Sequence, residues 1–198
     1  PLVLIPLLLL AGVTYFRARD LLESQAASQM TSAAQAQVSV LQEWAGVREQ
    51  RLQLGSQRGA LREAAQVLID TPQSSNLHAE SRENALPELE DLRTRQGQIL
   101  FSDLALVDAN DGTILAATNS SWLEQTSPNL TTGVNPSMEI DTHPVFNDPV
   151  LGPGDLAFYT KAPFRTESGH PIFLIGVNGP TRLGALLEEM QVFWERRG

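Results

Sequence analysis

The stretch LFSDLALVDANDGTILAAT, residues 100–118, decides the class of fold that this sequence predicts. Two mostly apolar runs, 100–107 and 113–118, flank the polar segment 108–112, which ends in Asp-Gly. Asp-Gly favours a tight turn because glycine adopts positive φ without steric strain, and apolar runs on either side then pair as antiparallel strands. The stretch therefore predicts a β-hairpin.

A second hairpin is predicted nearer the C-terminus, where the runs 156–162 and 171–177 flank Glu-Ser-Gly-His at 167–170. The run 171–177 is apolar almost throughout, which is typical of a buried, central strand. Between the two hairpins, residues 119–154 are rich in proline, asparagine and glycine. Loops of this length in compact domains are usually functional or disordered. Because this one contains Trp122 and other aromatic residues, we interpret it as an ordered lid.

The segment before the sheet is predicted to be helical. Residues 17–54 contain no proline and a single glycine, Gly46, and they are rich in residues that favour helix. One interpretation is a single long helix, a stalk over residues 17–56. The alternative is a pair of ordinary core helices broken near Gly46 or Gly55.

Further helices follow from apolar spacing. Apolar residues at i, i+3, i+4 and i+7 predict a helix over 60–69. A third helix is predicted with Pro87 in its first turn, because proline suits that position, and with three leucines facing the core: Leu86, Leu89 and Leu92. An amphipathic helix is predicted from Pro180, ending in an exit segment at 191–198.

The N-terminal residues 1–16 carry no charge, and charged residues begin at Arg17. A spanning helix needs roughly 20 apolar residues, so we interpret 1–16 as a truncated signal anchor that crosses the membrane. The competing interpretation is the apolar region of a cleaved signal peptide. The first interpretation predicts a cell-membrane protein with one visible N-terminal span and an extracytoplasmic soluble module.

Composition excludes several functional classes. The chain has 198 residues, with 14 Lys and Arg against 23 Asp and Glu, and a formal net charge of −9. An acidic chain without a basic stripe is not expected to bind nucleic acid, which requires neutralisation of phosphates. The absence of cysteine excludes disulfides, thiolate metal sites and cysteine nucleophiles.

No catalytic or cofactor-binding motif occurs, so neither an enzymatic activity nor a cofactor is predicted for this segment. The segment 108–112 is faintly similar to a calcium loop, but a hairpin turn explains it better because the twelfth position lacks glutamate. Asp141, His143 and Asp148 are donors that suit a divalent ion. Ordinary loop polarity explains them more simply, and no metal site is predicted.

The order of these elements, together with FSDLALVDANDGTILAATN at 101–119 and APFRTESGHPIFLIGVNGPTRLGALLEEM at 162–190, resembles the Cache family of extracytoplasmic sensor domains. The resemblance implies an α+β fold in which a long N-terminal helix packs on a PAS-like antiparallel sheet. In the double form of this family, a membrane helix and stalk lead to a membrane-distal module. The resemblance thus divides the chain into a transmembrane segment (1–16), a stalk (17–56), a sensor module (57–190) and an exit helix (191–198).

The resemblance implies a ligand-sensing module of a transmembrane signal-transduction receptor, whose output is a histidine kinase, cyclase, phosphatase or chemoreceptor domain. A homodimer through the stalk helix is also expected. Family members that bind amino acids usually carry an Arg-x-Trp motif, which this chain lacks, so an amino-acid ligand is not implied. The alternative function is a ligand-free structural or protein-interaction module with the same fold.

Candidate ligand-binding residues come from strand alternation. In the run 156–162, alternation places Tyr159 and Lys161, the only lysine of the chain, on one face. An ammonium and a phenol in a cavity under the long loop would bind a small anionic ligand, with Trp122, His143 and Phe146 around it. The simpler alternative is a strand with one side facing solvent.

Overall fold

The computed structural model describes residues 4–127, 139–148, 150, 152–179 and 184. Within these ranges, the side chains of residues 4–16, 18, 20, 146, 147 and 152–156 are not described. The helix predicted from Pro180 and the exit segment at 191–198 lie outside the described residues, apart from position 184. The chain divides into two compact units, Pro1–Trp44 and Ala45–Gly198.

The first helix, α1, runs without interruption from Leu4 to Ser56. The structure thus has one long helix, and neither Gly46 nor Gly55 breaks it. Among the described side chains of the unit Pro1–Trp44, four large apolar ones are more than half exposed: Leu21, Leu22, Met30 and Val38. Among the helices that the structure describes, none is both long enough and apolar enough to cross a membrane.

In the unit Ala45–Gly198, two further helices precede the sheet: α2, Gly59–Asp70, and α3, Asn76–Arg93. The prediction of α2 over 60–69 is confirmed. The predicted start of the third helix is wrong. Ser75, whose side chain accepts a hydrogen bond from the backbone N–H of His78 at 3.1 Å, caps α3. Pro87 therefore lies inside the helix, and Leu86 is 41% exposed instead of facing the core.

The strands that the structure describes all follow α3. A two-stranded hairpin consists of β1, Thr94–Arg95, and β2, Gln98–Ile99. The main sheet has five antiparallel strands in the order β4-β3-β7-β6-β5. Their bounds are β3 Asp103–Asp108, β4 Ile114–Ala117, β5 Asp141–Asp148, β6 Gly152–Arg165 and β7 Pro171–Asn178. Both predicted hairpins are present, and β7 is the central strand, as its apolar sequence predicts.

The prediction of a loop from 119 to 154 is wrong for residues 141–148 and 152–154, which lie in strands. Residues 141–148 form β5, and β6 begins at Gly152 instead of near 156. Pro144 lies in β5, which is an edge strand, where a residue without a backbone N–H is tolerated. The first part of the segment contains a short 3₁₀ helix, Ser120–Trp122. Residues 128–138 lie outside the described residues, so the predicted lid is not described there.

The two faces of the main sheet carry separate hydrophobic clusters. On one face, which we call the helical face, strand residues such as Leu104 and Leu174 pack with buried leucines of all three helices: Leu52, Leu61, Leu68, Leu89 and Leu92. On the other, which we call the open face, Val107, Phe173 and Ile175 pack with Trp122 and Tyr159. The α+β class is therefore shown, with helices on one side of an antiparallel sheet.

Arginine side chains join the end of α1 to the C-terminal end of α3. Arg51 donates hydrogen bonds to the carbonyl oxygens of Asp91 at 2.6 Å and Thr94 at 3.1 Å. Arg58 forms ion pairs with Glu88 at 2.7 Å and Asp91 at 2.5 Å. Cationic groups near a helix C-terminus interact favourably with its carbonyl groups. The contacts of Arg51 fix the end of α1 against α3, and those of Arg58 do the same for the residue that precedes α2.

His78 makes the stability of the second unit depend on pH. Its side chain is 2% exposed, and Nδ1 has no hydrogen-bond partner within the described residues. Burial, followed by the positive charge of Arg82, lowers the pKa of His78 below its ordinary value of 6.5. Glu124 opposes this effect. The unfolded chain therefore takes up a proton at higher pH than the folded chain does.

We expect the contribution of His78 to stability to be complete above pH 6.5 and to be lost as the pH falls towards its folded-state pKa. Thermal melts of the chain and of His78→Gln between pH values of about 7.5 and about 5 test this, because the variant lacks the titrating group. The melting temperature of the parent should fall more steeply. Equal slopes would show that the proton uptake of His78 does not differ between the two states.

Candidate functional site

The register of β5 and β6 places the candidate polar residues in two facing pairs. His143 lies opposite Tyr159, and Asp141 lies opposite Lys161. Directly opposite residues of antiparallel strands project from the same face. The ring centroids of His143 and Tyr159 are 6.3 Å apart in an edge-on arrangement. The candidate site is therefore on the open face of the sheet.

Tyr159 is fully buried in the open-face cluster. Its hydroxyl has no partner in strict hydrogen-bond geometry among the described residues, although Asp148 is near enough to affect it. Burial is the main cause that raises the pKa of Tyr159 far above its ordinary value, and the negative charge of Asp148 adds to it. The phenol consequently stays protonated at neutral pH and can act as a hydrogen-bond donor.

Asp148 and Ser127 form a buried polar pair beside this phenol. The hydroxyl of Ser127 donates a hydrogen bond to Asp148 Oδ2 at 2.5 Å, and the backbone N–H of Val150 donates to Oδ1 at 2.9 Å. Both side chains are buried. Sequence reasoning missed the pairing of Ser127 with Asp148, because the two residues are 21 positions apart and no local pattern brings them together.

Lys161 is 7% exposed, and its ammonium group lies 5.0 Å from the centroid of the Phe173 ring, a cation–π distance. No carboxylate within the described ranges forms an ion pair with it. Asp141, on the same face, is instead 3.4 Å from Nδ1 of His143. An ammonium group is costly to bury without a counter-ion, so Lys161 is the candidate position for an anionic ligand.

Trp122 and Phe146 are the remaining predicted residues. Trp122 ends the 3₁₀ helix and is 6% exposed within the same open-face cluster as Tyr159. The backbone of Phe146 lies in β5, opposite Leu156, but its side chain is outside the described residues. Tyr159, Lys161, Trp122 and His143 are thus all on the open face, and nothing is assigned to the Phe146 side chain.

The donors considered for a divalent ion do not form a metal site. Asp141 and His143 lie near the start of β5, whereas Asp148 lies at its end and is bound to Ser127. In the described part of the chain, no group of three or more His, Asp or Glu residues is arranged to hold a metal ion.

A second polar cluster, which sequence reasoning missed, links the two hairpin turns. Nε2 of His170 lies 2.9 Å from both carboxylate oxygens of Asp108 and 3.2 Å from the side-chain nitrogen of Asn110. The feature that could have revealed this cluster is the antiparallel pairing of β3 with β7. This pairing puts Asp108 opposite Ile172 and so brings both turns to one end of the sheet. These contacts hold the hairpins together.

No family model and no curated protein matches this chain. The site must therefore be interpreted from its own geometry. That geometry provides a positive charge at Lys161, a protonated phenol at Tyr159 and, beside the phenol, the buried carboxylate of Asp148. An ammonium group and a phenol are groups that can bind an anion.

Proposed function

We propose that the chain contains the extracytoplasmic ligand-sensing module of a transmembrane receptor, and that it binds a small anionic ligand. The observation that carries the proposal is the largely buried Lys161 residue, whose ammonium group has only the Phe173 ring as a described partner. An anionic ligand would supply the missing counter-charge, and the buried phenol of Tyr159 would donate a hydrogen bond to it.

The remaining parts of the proposal rest on the sequence and on α1. The uncharged residues 1–16 support a membrane anchor, and the exposed apolar residues of α1 support pairing of two stalk helices in a homodimer. The resemblance to the Cache family supports a sensing role, with an antiparallel sheet as its core. We propose that a ligand favours one of two arrangements of the module, which α1 then transmits.

A second candidate function is a ligand-free interaction module. It is favoured by the packing of Tyr159 and Trp122, both of which are enclosed by the open-face cluster. If side chains fill this face completely, no ligand enters and the Lys161 charge has only a packing role. The following experiment separates the two functions.

Thermal melts of the 198-residue chain with acetate, succinate, citrate and phosphate test the sensing function. A ligand at about one hundred times its Kd should stabilise the native state by about 2.7 kcal/mol, which corresponds to a rise of roughly 5–10 °C in Tm. We expect at least one of these anions to raise Tm and Lys161→Met to abolish the rise. No shift with any anion would support the ligand-free module instead.

The same variant has a second expected effect. Without ligand, Lys161→Met should raise Tm by roughly 2–4 °C, because an apolar side chain of similar size replaces a buried charge, a change worth about 1 kcal/mol. The matched control is Arg95→Met, which removes an exposed cation elsewhere and should change neither Tm nor the response to anions. A lower Tm for Lys161→Met would show that the ammonium already has a stabilising partner.

A further inference from the structure

A groove on the helical side of the second unit is separate from the open-face site. It has a volume of about 530 Å³ and lies between α2 and the β6–β7 turn. Residues at helical spacing from Gly59 to Val67 form one wall, and Arg165, Thr166 and Glu167 form the other. This volume is within the range of small-molecule sites in proteins.

Hydrogen bonds across the groove fix its walls. The side-chain amide of Gln66, on α2, accepts from the backbone N–H of Ser168 at 2.9 Å and donates to the Ser168 hydroxyl at 3.0 Å. Thr166 Oγ1 accepts from the backbone N–H of His170 at 3.1 Å. The turn is thereby tied to the helix, and the groove is formed before any ligand binds.

Two guanidinium groups of the groove are oriented by backbone carbonyls. Nε of Arg62 donates to the carbonyl oxygen of Ser56 at 2.9 Å, and Nη1 of Arg165 donates to that of Gly169 at 2.7 Å. Neither arginine has a carboxylate partner within the described ranges. Other described arginines do form ion pairs with acidic residues: Arg19, Arg51, Arg58, Arg82 and Arg93.

The groove also contains two carboxylates, Glu63 and Glu167, neither of which forms an ion pair with a described residue. Exposed charges of both signs therefore line one preformed groove. A polyanion would be repelled by the glutamates and a polycation by the arginines. A ligand that carries one carboxylate and one ammonium group satisfies both.

We propose that this groove binds a small zwitterionic ligand of short-peptide size, with its carboxylate on Arg62 and Arg165 and its ammonium on Glu63 and Glu167. Arginine suits the carboxylate end because its planar guanidinium group can bind both carboxylate oxygens. The proposal is independent of the anion site at Lys161, since the two sites share no residue.

Titration of the 198-residue chain with triglycine, followed by NMR or calorimetry, tests the proposal. We expect saturable binding that weakens at least tenfold when either terminus of the peptide is blocked by acetylation or amidation. Binding should also weaken at least tenfold in Arg62→Ala/Arg165→Ala. Absence of triglycine binding, or equal binding of the doubly blocked peptide, would overturn the proposal.

Three controls locate the site. Arg95→Ala removes an exposed arginine outside the groove and should leave binding unchanged, and Lys161→Met should do the same. Arg62→Lys/Arg165→Lys keeps both charges and should retain binding with reduced affinity, which distinguishes loss of the site from loss of the fold. Binding that depends on Lys161 instead of on the two arginines would place the ligand elsewhere and overturn the assignment.

Discussion

Gly176→Val is expected to destabilise the second unit by about 3 kcal/mol, the upper range for overpacking a core, and to lower Tm by roughly 6–12 °C. Gly176 lies in the central strand β7, and a Cβ atom built there would overlap the ring of Phe101. That ring is fully buried in the helical-face cluster, so it has little room to move. Thermal or denaturant melts measure the effect.

The direction of this effect discriminates between two causes. Valine has a higher strand propensity than glycine, so propensity alone predicts stabilisation, whereas steric overlap predicts the opposite. Gly179→Val is the matched control, because a Cβ atom there meets nothing within 4 Å. Combining Gly176→Val with Phe101→Ala should give less destabilisation than the sum of the two single changes. An additive result would contradict the proposed overlap.

The sequence predicted the parts of the fold that have strong local signals. Asp-Gly in the first turn and the uninterrupted apolar run of β7 identified two hairpins and the central strand. The edge strand β5 was missed because Pro144 disfavours a strand in general and is tolerated only at an edge. The position of a strand at the edge is a property of the whole sheet, and no local pattern of residues predicts it.

The candidate site was likewise predicted only in part, because some of its contacts depend on the arrangement of the whole sheet. Alternation with a period of two placed Tyr159 and Lys161 on one face, and both do contact the open-face cluster. Asp148, by contrast, follows an irregular register after Phe146, so alternation along β5 does not give its direction. Its contact with Ser127 and its effect on Tyr159 depend on this irregularity and on the position of residues 123–127.

Helix boundaries show a further limit of local reasoning. The sequence placed Pro87 in the first turn of a helix, which is its most common position. In the structure, the cap is Ser75, and the helix continues through Pro87 because Ala85, Leu89 and Leu92 are buried against the sheet. Burial of this side of α3 thus outweighs the loss of one backbone hydrogen bond. The start of the helix therefore depends on tertiary packing, which the local sequence does not show.

Phe173→Ala is expected to be the most destabilising change on the open face. Phe173 is buried in β7, where its ring packs in the open-face cluster and carries the ammonium of Lys161 at 5.0 Å. Truncation of a buried phenylalanine to alanine costs about 3–5 kcal/mol. Chemical denaturation measures this loss, but the cavity and the lost cation–π contact both contribute to it.

Phe173→Leu separates the two contributions, because leucine keeps most of the apolar volume and removes the ring. Phe173→Leu should lower the free energy of unfolding more in the parent chain than in the Lys161→Met background. The reason is that the cation–π contact, worth about 0.5–2 kcal/mol, exists only in the parent. Ile172→Val, on the helical face, is the control and should cost the same in both backgrounds. Equal costs of Phe173→Leu in both would show that the ring does not hold the ammonium. The charge would then be available to the proposed ligand without competition from Phe173, whereas a positive coupling would mean that the proposed anion competes with the ring for the ammonium group.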